Sequence, residues 1–249
     1  MIHQTLTSVL KELRLPTVRA SYEELATEAT RDTLSYEQYL LSLMEREQEV
    51  RWENRIARFL RTSHLPVEKT LSSFDRDRLP KKVNQLLSTL LDGGFMDRCE
   101  NVLAFGNPGS GKTHLLCAIG QEMIQQHGKR ILFTPCNLMV QNLLIAKRDL
   151  KLSRFLKSLS KYDAIIIDDI GYVQQSREEM EVLFTLLADR YERTSIMITS
   201  NLPFSKWEQI FKDPMTTAAA IDRLVHHSVI LELNLPSYRL EKSKETKAN

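Results

Sequence analysis

The sequence contains few cysteines and no long hydrophobic run. Its three cysteines are an odd number without Cys-x-x-Cys spacing, which fits a reducing compartment and argues against a structural zinc site. His226 and His227 have no acidic or cysteine partner at metal-ligand spacing, so we interpret them as structural. No apolar stretch approaches the ~20 residues that a membrane-spanning helix requires, and the N-terminal residues lack the apolar core and cleavage site of a secretory signal. We therefore expect a cytoplasmic protein without a membrane partner.

An excess of charge of one sign is also missing. The chain has 249 residues, with 34 lysines and arginines against 32 aspartates and glutamates, which gives a formal net charge of +2. Any affinity for nucleic acid must therefore come from a local cluster of basic residues. The shares of hydrophobic residues (42%) and charged residues (27%) are those of a globular protein and argue against a disordered or collagen-like chain.

The N-terminal part of the chain has no glycine and no β-rich run. Between Ile2 and Leu60 apolar residues recur every three or four positions, which is the spacing of amphipathic helices. Ser35, followed by Gln38, predicts a capping box at the start of a long helix. The periodicity ends near Pro66, where we place a domain boundary. We expect a small all-helical domain over residues 1–65, a second domain over 66–240 and a polar tail over 241–249.

The second domain alternates short β-rich runs with helical patterns. The five predicted strands are Val102–Phe105, Ile131–Thr134, Ala164–Ile167, Ile196–Thr199 and Val229–Leu233. Continuous apolar runs such as residues 164–167 indicate strands that are covered on both faces. The sequence therefore predicts an α/β fold, in which a five-stranded, mostly parallel sheet carries helices on both faces and is preceded by the small helical domain.

A phosphate-binding loop is the strongest motif in the chain. Residues 106–113 have the pattern G-x-x-x-x-G-K-[ST] between a predicted strand and a predicted helix, the order that the motif requires, which disfavours a chance loop. Its glycines let backbone N–H groups and the helix N-terminus surround phosphate oxygens. We expect Lys112 to reach the β and γ phosphates of ATP, and Thr113 to place its hydroxyl on Mg²⁺. The predicted nucleotide-binding residues are Gly106, Asn107, Pro108, Gly109, Ser110, Gly111, Lys112, Thr113 and His114.

Polar residues follow two further predicted strands. Asp168 and Asp169 end the run AIIIDD, at the carboxyl edge where ligands of open α/β sheets bind. We predict that Asp168 holds Mg²⁺, usually through water, and that Asp169 orients or deprotonates the attacking water. Asn201 ends the next strand and is a candidate to hold that water or to contact the γ phosphate. Turn capping is the alternative for these polar side chains.

Together, the segments GNPGSGKTHL, AIIIDDIG and ITSN resemble the Walker A, Walker B and sensor 1 elements of AAA+ ATPases. The forms G-x-x-G-x-G-K-T-H-L and D-D-x-G are similar to those of the clade that contains the helicase loader DnaC and the IstB-type transposition helper proteins. The resemblance covers residues 67–239. Residues 34–66 resemble IstB-type proteins in particular, in which this segment is a helical domain that engages DNA or the partner.

The resemblance implies an ATPase that assembles on DNA as a homo-oligomer, with ATP at the subunit interfaces and an arginine finger donated in trans. Arg223 is at the matching position for the finger, and Arg190 and Arg193 are weaker candidates. Arg239 is a candidate phosphate contact. Asp169 stands where the family usually has glutamate, which implies slow or partner-stimulated hydrolysis. The residues after the fifth strand are too few for a full helical lid domain.

Two basic segments are candidates for DNA binding. Between residues 147 and 161 six basic residues oppose a single aspartate, and on one continuous helix five of them fall within a stripe of about 120°. We expect Lys147, Lys151 and Arg154 to contact the phosphate backbone while the apolar face packs on the sheet. The second candidate is a stripe on the long N-terminal helix, formed by Arg51, Arg55 and Arg58. A solvated face without a partner is the alternative for both segments.

The combined prediction is an ATP-dependent DNA-binding protein of the AAA+ class that oligomerises on DNA and assists a transposase. A helicase loader of the DnaC type would carry the same ATPase core, and only the N-terminal helices favour the transposase. A P-loop kinase for a small metabolite is an alternative of another class, disfavoured because the sequence shows no second substrate pocket or lid insertion. A nucleotide-gated binder that scarcely hydrolyses ATP is a third alternative, which the short side chain of Asp169 keeps open.

Overall fold

The computed structural model describes residues 2–171, 176–211, 213–238 and 241. The helices are α1 (Ile2–Glu12), α2 (Pro16–Arg31), α3 (Tyr36–Ser63), α4 (Lys81–Leu91), α5 (Gly94–Asp97), α6 (Lys112–His127), α7 (Cys136–Arg148), α8 (Leu152–Leu159), α9 (Arg177–Arg190), α10 (Glu208–Phe211) and α11 (Pro214–Val225). The strands are β1 (Asn101–Gly106), β2 (Ile131–Pro135), β3 (Ala164–Ile170), β4 (Ser195–Ser200) and β5 (Ser228–Leu233). None of the helices in these ranges is long and apolar enough to cross a membrane.

The chain divides into two compact units between residues 58 and 59, inside α3. The first unit consists of α1, α2 and most of α3. Its small core contains Leu10, Val18 and Leu43. The boundary predicted from the sequence lies near Pro66 instead. A break in periodicity shows where a helix ends, but it does not show that the last turns of a helix pack with a different unit.

Two helices of the first unit begin with side-chain caps. At the start of α3, the Ser35 N–H donates to Gln38 Oε1 (2.8 Å) and the Gln38 N–H donates to Ser35 Oγ (3.2 Å), which confirms the predicted capping box. The cap of α2 comes from a distant residue of α3. Glu47 Oε2 accepts the N–H groups of Thr17 (2.8 Å) and Val18 (3.0 Å), so a buried carboxylate satisfies the first turn of that helix.

The five strands of the second unit form one sheet in the order β2-β3-β4-β1-β5, and every neighbouring pair is parallel. All five predicted strands are confirmed. The carboxyl ends of β3, β4 and β1 therefore lie side by side at one edge. This edge is where the three motifs meet, because each motif follows one of these strands in the sequence.

Helices cover both faces of the sheet, as the apolar strands predict. On one face α7, α9 and α11 pack with Leu103 of β1 and with the inward residues of β3 and β4. On the other face α6 crosses the sheet so closely that Gly120 approaches Ile166 of β3. Strand residues 164–167 are fully buried, which explains why they do not alternate with polar residues.

The basic segment between residues 147 and 161 does not form one helix. α7 ends at Arg148, and α8 begins at Leu152. Leu150 lies between them in the left-handed region, with φ of 58° and 94% of its surface exposed. The predicted continuous stripe is therefore wrong, because a non-glycine residue at positive φ cannot continue an α-helix. The predicted apolar face of α8 does pack on the core, through Leu152, Phe155, Leu156 and Leu159.

Candidate nucleotide site

The predicted phosphate loop connects the end of β1 to the start of α6. Gly106 lies so close to β5 that a Cβ there would stand 2.1 Å from the Leu233 carbonyl oxygen. Gly111 caps α6 with φ of 96°, a conformation that L side chains rarely adopt. Among the described residues, no side chain caps this helix. Its first N–H groups thus face the loop, as an anion site requires.

Two polar groups of the loop fit a bound phosphate. The Lys112 side chain is only 5% exposed, and its Nζ donates to the carbonyl oxygens of Gly106 and Asn107, both at 2.9 Å. Ser110 Oγ is buried without a hydrogen-bond partner among the described residues. A buried unpaired hydroxyl is costly unless a ligand satisfies it. The loop therefore has the donors and the shape that a nucleotide phosphate would use.

The two aspartates lie at an irregularity in β3. The pairing of β3 with β4 shifts register between Ile167 and Ile170, and Asp169 has φ of 60°. A bulge of this kind changes the direction of side chains near a site. Here the bulge lets two consecutive residues face the phosphate loop. Asp168 contacts Thr113 of the loop, and Asp169 lines the cleft that lies over it.

Two threonine hydroxyls converge on one oxygen of Asp168. Thr113 donates to Asp168 Oδ1 at 2.8 Å, which brings together the two residues predicted for Mg²⁺. Thr199 of β4 donates to the same oxygen at 2.7 Å. Thr199 Oγ1 also accepts the backbone N–H of Asp169 at 2.8 Å. The sequence gives no signal for Thr199, because within β4 it looks like an ordinary β-branched strand residue.

A cleft of about 580 Å³ lies over the loop. Residues 108–114, Asp169 and Asn201 line it, whereas Asn201 also lines a neighbouring hollow together with Gly106 and Asn107. Asn201 Oδ1 is buried without a hydrogen-bond partner in the described part of the chain. The structure thus gathers the predicted loop, the second aspartate and the strand-end asparagine at one place.

The segment that precedes α4 forms the opposite wall of the cleft. His114 Nε2 lies 2.9 Å from the Thr70 carbonyl oxygen and 3.2 Å from Ser73 Oγ, so this predicted nucleotide residue also fastens that segment. Phe74 packs edge-on against His114, with 5.1 Å between ring centroids. Further along the chain, the Tyr238 N–H donates to the Gly109 carbonyl oxygen at 3.0 Å. The sequence itself does not predict that these two segments lie beside the phosphate loop, because neither directly follows a strand that carries one of the motifs.

The arginines predicted for the finger differ in their surroundings. Arg223 lies outside the cleft, half-buried on α11, with its guanidinium 4.9 Å from the Phe184 ring centroid. Arg190 is 2% exposed and donates to three carbonyl oxygens of its own subunit, and burial lowers its pKa to about 10. It is therefore too enclosed to reach a neighbouring subunit. Arg193 is exposed beside Asp189 (3.7 Å), and Arg239 lies outside the described residues.

Some of the residues predicted to contact DNA interact with other side chains of the same chain. Lys147 pairs with Glu181 of α9 (2.9 Å). Lys151 pairs with Asp149 (3.3 Å), whereas Arg154 is exposed on α8. On α3, Arg51 supports the capping carboxylate of Glu47 (2.7 Å), the Arg55 guanidinium lies 5.9 Å from the Trp52 ring centroid, and Arg58 is exposed. Arg51 thus has a structural task in addition to its predicted one.

His226 and His227 do have an acidic neighbour, which corrects the sequence interpretation. Glu192 Oε1 lies 4.0 Å from His226 Nδ1 and 3.9 Å from His227 Nε2. The sequence hid this because Glu192 precedes β4 whereas the histidines precede β5. The cluster is exposed at the amino edge of the sheet, away from the nucleotide cleft.

Comparisons with known proteins match this chain to ATP-binding proteins. The sequence pattern of the family described as IstB-like ATP binding protein matches residues 8–246. An insertion sequence ATP-binding protein of Sinorhizobium fredii is 42% identical over 240 residues, which cover 96% of this chain and 80% of the relative. The insertion sequence IS21 ATP-binding protein of Pseudomonas aeruginosa is 35% identical over 237 residues, covering 95% of this chain and 89% of the relative.

Solved structures share the fold of most of this chain at low sequence identity. The crystal structure of the DnaC helicase loader has a TM-score of 0.58 and 16% identity, and the match covers 67% of this chain and 97% of that one. The AMPPCP-bound structure of DnaA from Aquifex aeolicus has a TM-score of 0.57 and 18% identity, covering 74% of this chain and 56% of that one. The sheet and its surrounding helices are therefore of the AAA+ type.

Proposed function

Because this chain belongs to the IstB-like ATP binding protein family and is an ATPase with an AAA+ fold, we propose that it assembles on DNA and assists a transposase. The names of the relatives support the choice of partner, since they are proteins of insertion sequences. A helicase loader shares only the fold, at 16% identity. Transposition is therefore favoured over helicase loading.

The contact between Thr113 and Asp168 (2.8 Å) carries the nucleotide-binding part of this proposal. This contact joins the phosphate loop to β3. One Mg²⁺ would therefore be held by the Thr113 hydroxyl and, through water, by Asp168. Lys112 would leave the loop carbonyls to bind the β and γ phosphates. When bound, Mg²⁺ neutralises the negative charge on the phosphate oxygens.

The remaining polar residues divide the work of hydrolysis. Asp169 orients the attacking water and accepts its proton, because its side chain lines the cleft beside the loop. Asn201 holds the same water or the γ phosphate with its amide. Arg223 of one subunit stabilises charge on the phosphate that is bound by its neighbour. Because Arg223 comes from a neighbouring subunit, hydrolysis depends on assembly.

We assign DNA binding to three exposed basic residues: Lys147 of α7, Arg154 of α8 and Lys151 between the two helices. The ion pairs of Lys147 and Lys151 lie at the surface, where such pairs are worth about 0–1 kcal/mol, so both ammonium groups can exchange a carboxylate for a phosphate. α8 is anchored to the core by its apolar face, which leaves the basic side outward. Arg55 and Arg58 form the second candidate surface.

The test is to measure ATP hydrolysis and sedimentation with and without duplex DNA, with no small-molecule acceptor present. We expect DNA to stimulate hydrolysis and ATP to promote assembly on DNA. The matched control is Lys112→Ala, which should lose ATP binding and hydrolysis while its circular dichroism spectrum stays unchanged. Hydrolysis that does not respond to DNA, together with a monomer at all ATP concentrations, would contradict the proposal. ATP turnover that starts only when a metabolite is added in a second assay would favour a kinase.

A further inference from the structure

We propose that Thr199 is a positioning residue for ATP hydrolysis, whose hydroxyl fixes Asp168 and Asp169 in their working orientations. This inference rests on the proposed roles of the two aspartates. Thr199 does not line the cleft, because its side chain is fully buried in β4. It therefore acts through its neighbours.

The hydrogen bonds of Thr199 reach both acidic residues at once. Its hydroxyl donates to Asp168 Oδ1 (2.7 Å) and accepts the Asp169 N–H (2.8 Å). A hydroxyl has one proton to give, so donation to the carboxylate and acceptance from the amide are compatible. Hydrogen bonds to a carboxylate are stronger than those between neutral groups, and this one is shielded from water.

The backbone explains why a side chain is needed at this position. At the bulge, the register shift between residues 167 and 170 interrupts the ladder between β3 and β4. The Thr199 hydroxyl accepts the Asp169 N–H at that interruption and so holds Asp169 in its left-handed conformation. Threonine suits this task because its β-branched side chain has few rotamers on a strand.

The position of Thr199 also connects the parts of the site. Asp168 Oδ1 receives the hydroxyls of Thr113 and Thr199, so the phosphate loop, β3 and β4 meet at one oxygen atom. Asn201 follows Thr199 closely along the same strand end. Loss of the hydroxyl should therefore disturb Mg²⁺-dependent hydrolysis more than the binding of the nucleotide.

A purely structural hydroxyl is the alternative, and the next residue of β4 provides a matched control. Ser200 is equally buried, but its Oγ contacts the carbonyl oxygens of Ile170 (3.1 Å) and Leu202 (3.0 Å) and neither aspartate. Ser200→Ala removes a buried hydroxyl of the same strand. We expect it to lower the melting temperature while leaving the Mg²⁺ concentration for half-maximal hydrolysis unchanged.

The experiment compares Thr199→Val, which has nearly the same shape, with Thr199→Ser, which keeps the hydroxyl. We expect Thr199→Val to lower kcat about tenfold or more and to raise the half-maximal Mg²⁺ concentration, while the Kd for ATP in EDTA stays within about twofold. Thr199→Ser should recover most of kcat and of the Mg²⁺ response. If Thr199→Val does not fold, Thr199→Cys replaces it, because a thiol is only a weak hydrogen-bonding group.

The inference is overturned if Thr199→Val hydrolyses ATP with the kcat and Mg²⁺ response of the natural protein. It is also overturned if a folded Thr199→Ser is as impaired as Thr199→Val, because the hydroxyl would then be irrelevant. Asp169→Asn separates this failure from that of the proposed function. If Asp169→Asn is inactive and Thr199→Val is normal, only the role of Thr199 falls; if Asp169→Asn is fully active, the proposed role of Asp169 falls.

Discussion

Asp169 combines an unusual backbone conformation with an unusually short acidic side chain for its position. Related ATPases of the AAA+ type usually have glutamate here, and aspartate is one methylene shorter. In this chain the residue stands at the bulge of β3, with φ of 60°, and its side chain lines the cleft. The sequence singles out Asp169 as the candidate base, which stays a prediction, but it does not reveal the bulge, because the hydroxyl that supports the bulge comes from another strand.

At this position we predict that Asp169→Asn retains ATP binding and loses turnover. The amide has nearly the same size as the carboxylate but cannot accept a proton from water. The kcat should fall by about a hundredfold or more, while the Kd for ATP stays within about threefold. Single-turnover hydrolysis and fluorescent-nucleotide binding measure the two quantities. A kcat near that of the natural protein would show that the base lies elsewhere.

At the scale of an element, α2 depends on a residue of α3. Glu47 accepts two N–H groups at the start of α2 and pairs with Arg51. Burial raises the pKa of Glu47, but the hydrogen bonds from Arg51, Val18 and Thr17 outweigh it and hold the pKa below its ordinary value of 4.5. No local pattern predicts this cap, because Glu47 is distant in sequence from the helix that it caps.

We therefore predict that Glu47→Gln destabilises α2 by about 1–2 kcal/mol at neutral pH. Because the pKa is lowered in the folded state, the stabilisation is present above the ordinary pKa and is lost as the pH falls through the folded value. The difference between the two proteins should shrink below about pH 4.5. Hydrogen exchange at the amides of Thr17 and Val18 measures this difference in the stability of α2. Equal exchange in both proteins at pH 7 would contradict the cap.

The basic surface of α7 and α8 is the second case at this scale. The sequence predicted a single helix, whereas Leu150 divides it, so the basic residues lie on two elements. This division leaves Arg154 and Lys157 exposed on an amphipathic helix that is anchored to the core. Hydrophobic periodicity does not reveal this division, because a single residue at positive φ, Leu150, ends the helix.

For this surface we predict the effect of Lys151→Gln combined with Arg154→Gln. Each lost phosphate contact makes the plot of log affinity against log salt shallower by about 0.9, so the pair should change the slope by roughly one to two. DNA affinity should fall similarly on all sequences, because phosphate contacts do not read bases. Arg98→Gln is the control, because Arg98 is exposed, pairs with Glu100 at 2.9 Å and belongs to neither candidate DNA surface. Unchanged slope and affinity would move the interface to Arg55 and Arg58.

For the whole molecule, the sequence predicted the five strands correctly, because strands depend on local order. The candidate phosphate loop follows β1 and the two candidate aspartates lie at the end of β3, as motifs of fixed spacing predict. The sequence did not predict Thr199, the wall formed by Phe74 or the partner of the histidines. These depend on which strands become neighbours, and β3 contacts β4 only after the sheet has formed. The same limit applies to subunit contacts, which require a second chain.

The final prediction concerns the assembled molecule and tests whether Arg223 acts in trans. Arg223 lies outside the cleft of its own subunit, so a donated finger must come from a neighbour. Arg223→Ala and Lys112→Ala should each be inactive alone, one lacking the finger and the other the loop. In an equal mixture, roughly a quarter of the interfaces would pair an intact loop with an intact finger and regain hydrolysis.

The control mixture contains Lys112→Ala and Arg193→Ala. Arg193 is an exposed arginine that pairs only at 3.7 Å with Asp189, so its loss should leave turnover in each assembled interface intact. Mixed oligomers are verified by tagging the two proteins differently and isolating complexes that carry both tags. In the mixture of Arg223→Ala and Lys112→Ala, recovery of hydrolysis is expected at all ratios. It should be greatest at equal amounts, because each active interface needs one subunit of each kind. Verified mixed oligomers of Arg223→Ala and Lys112→Ala without hydrolysis would show that Arg223 is not the finger.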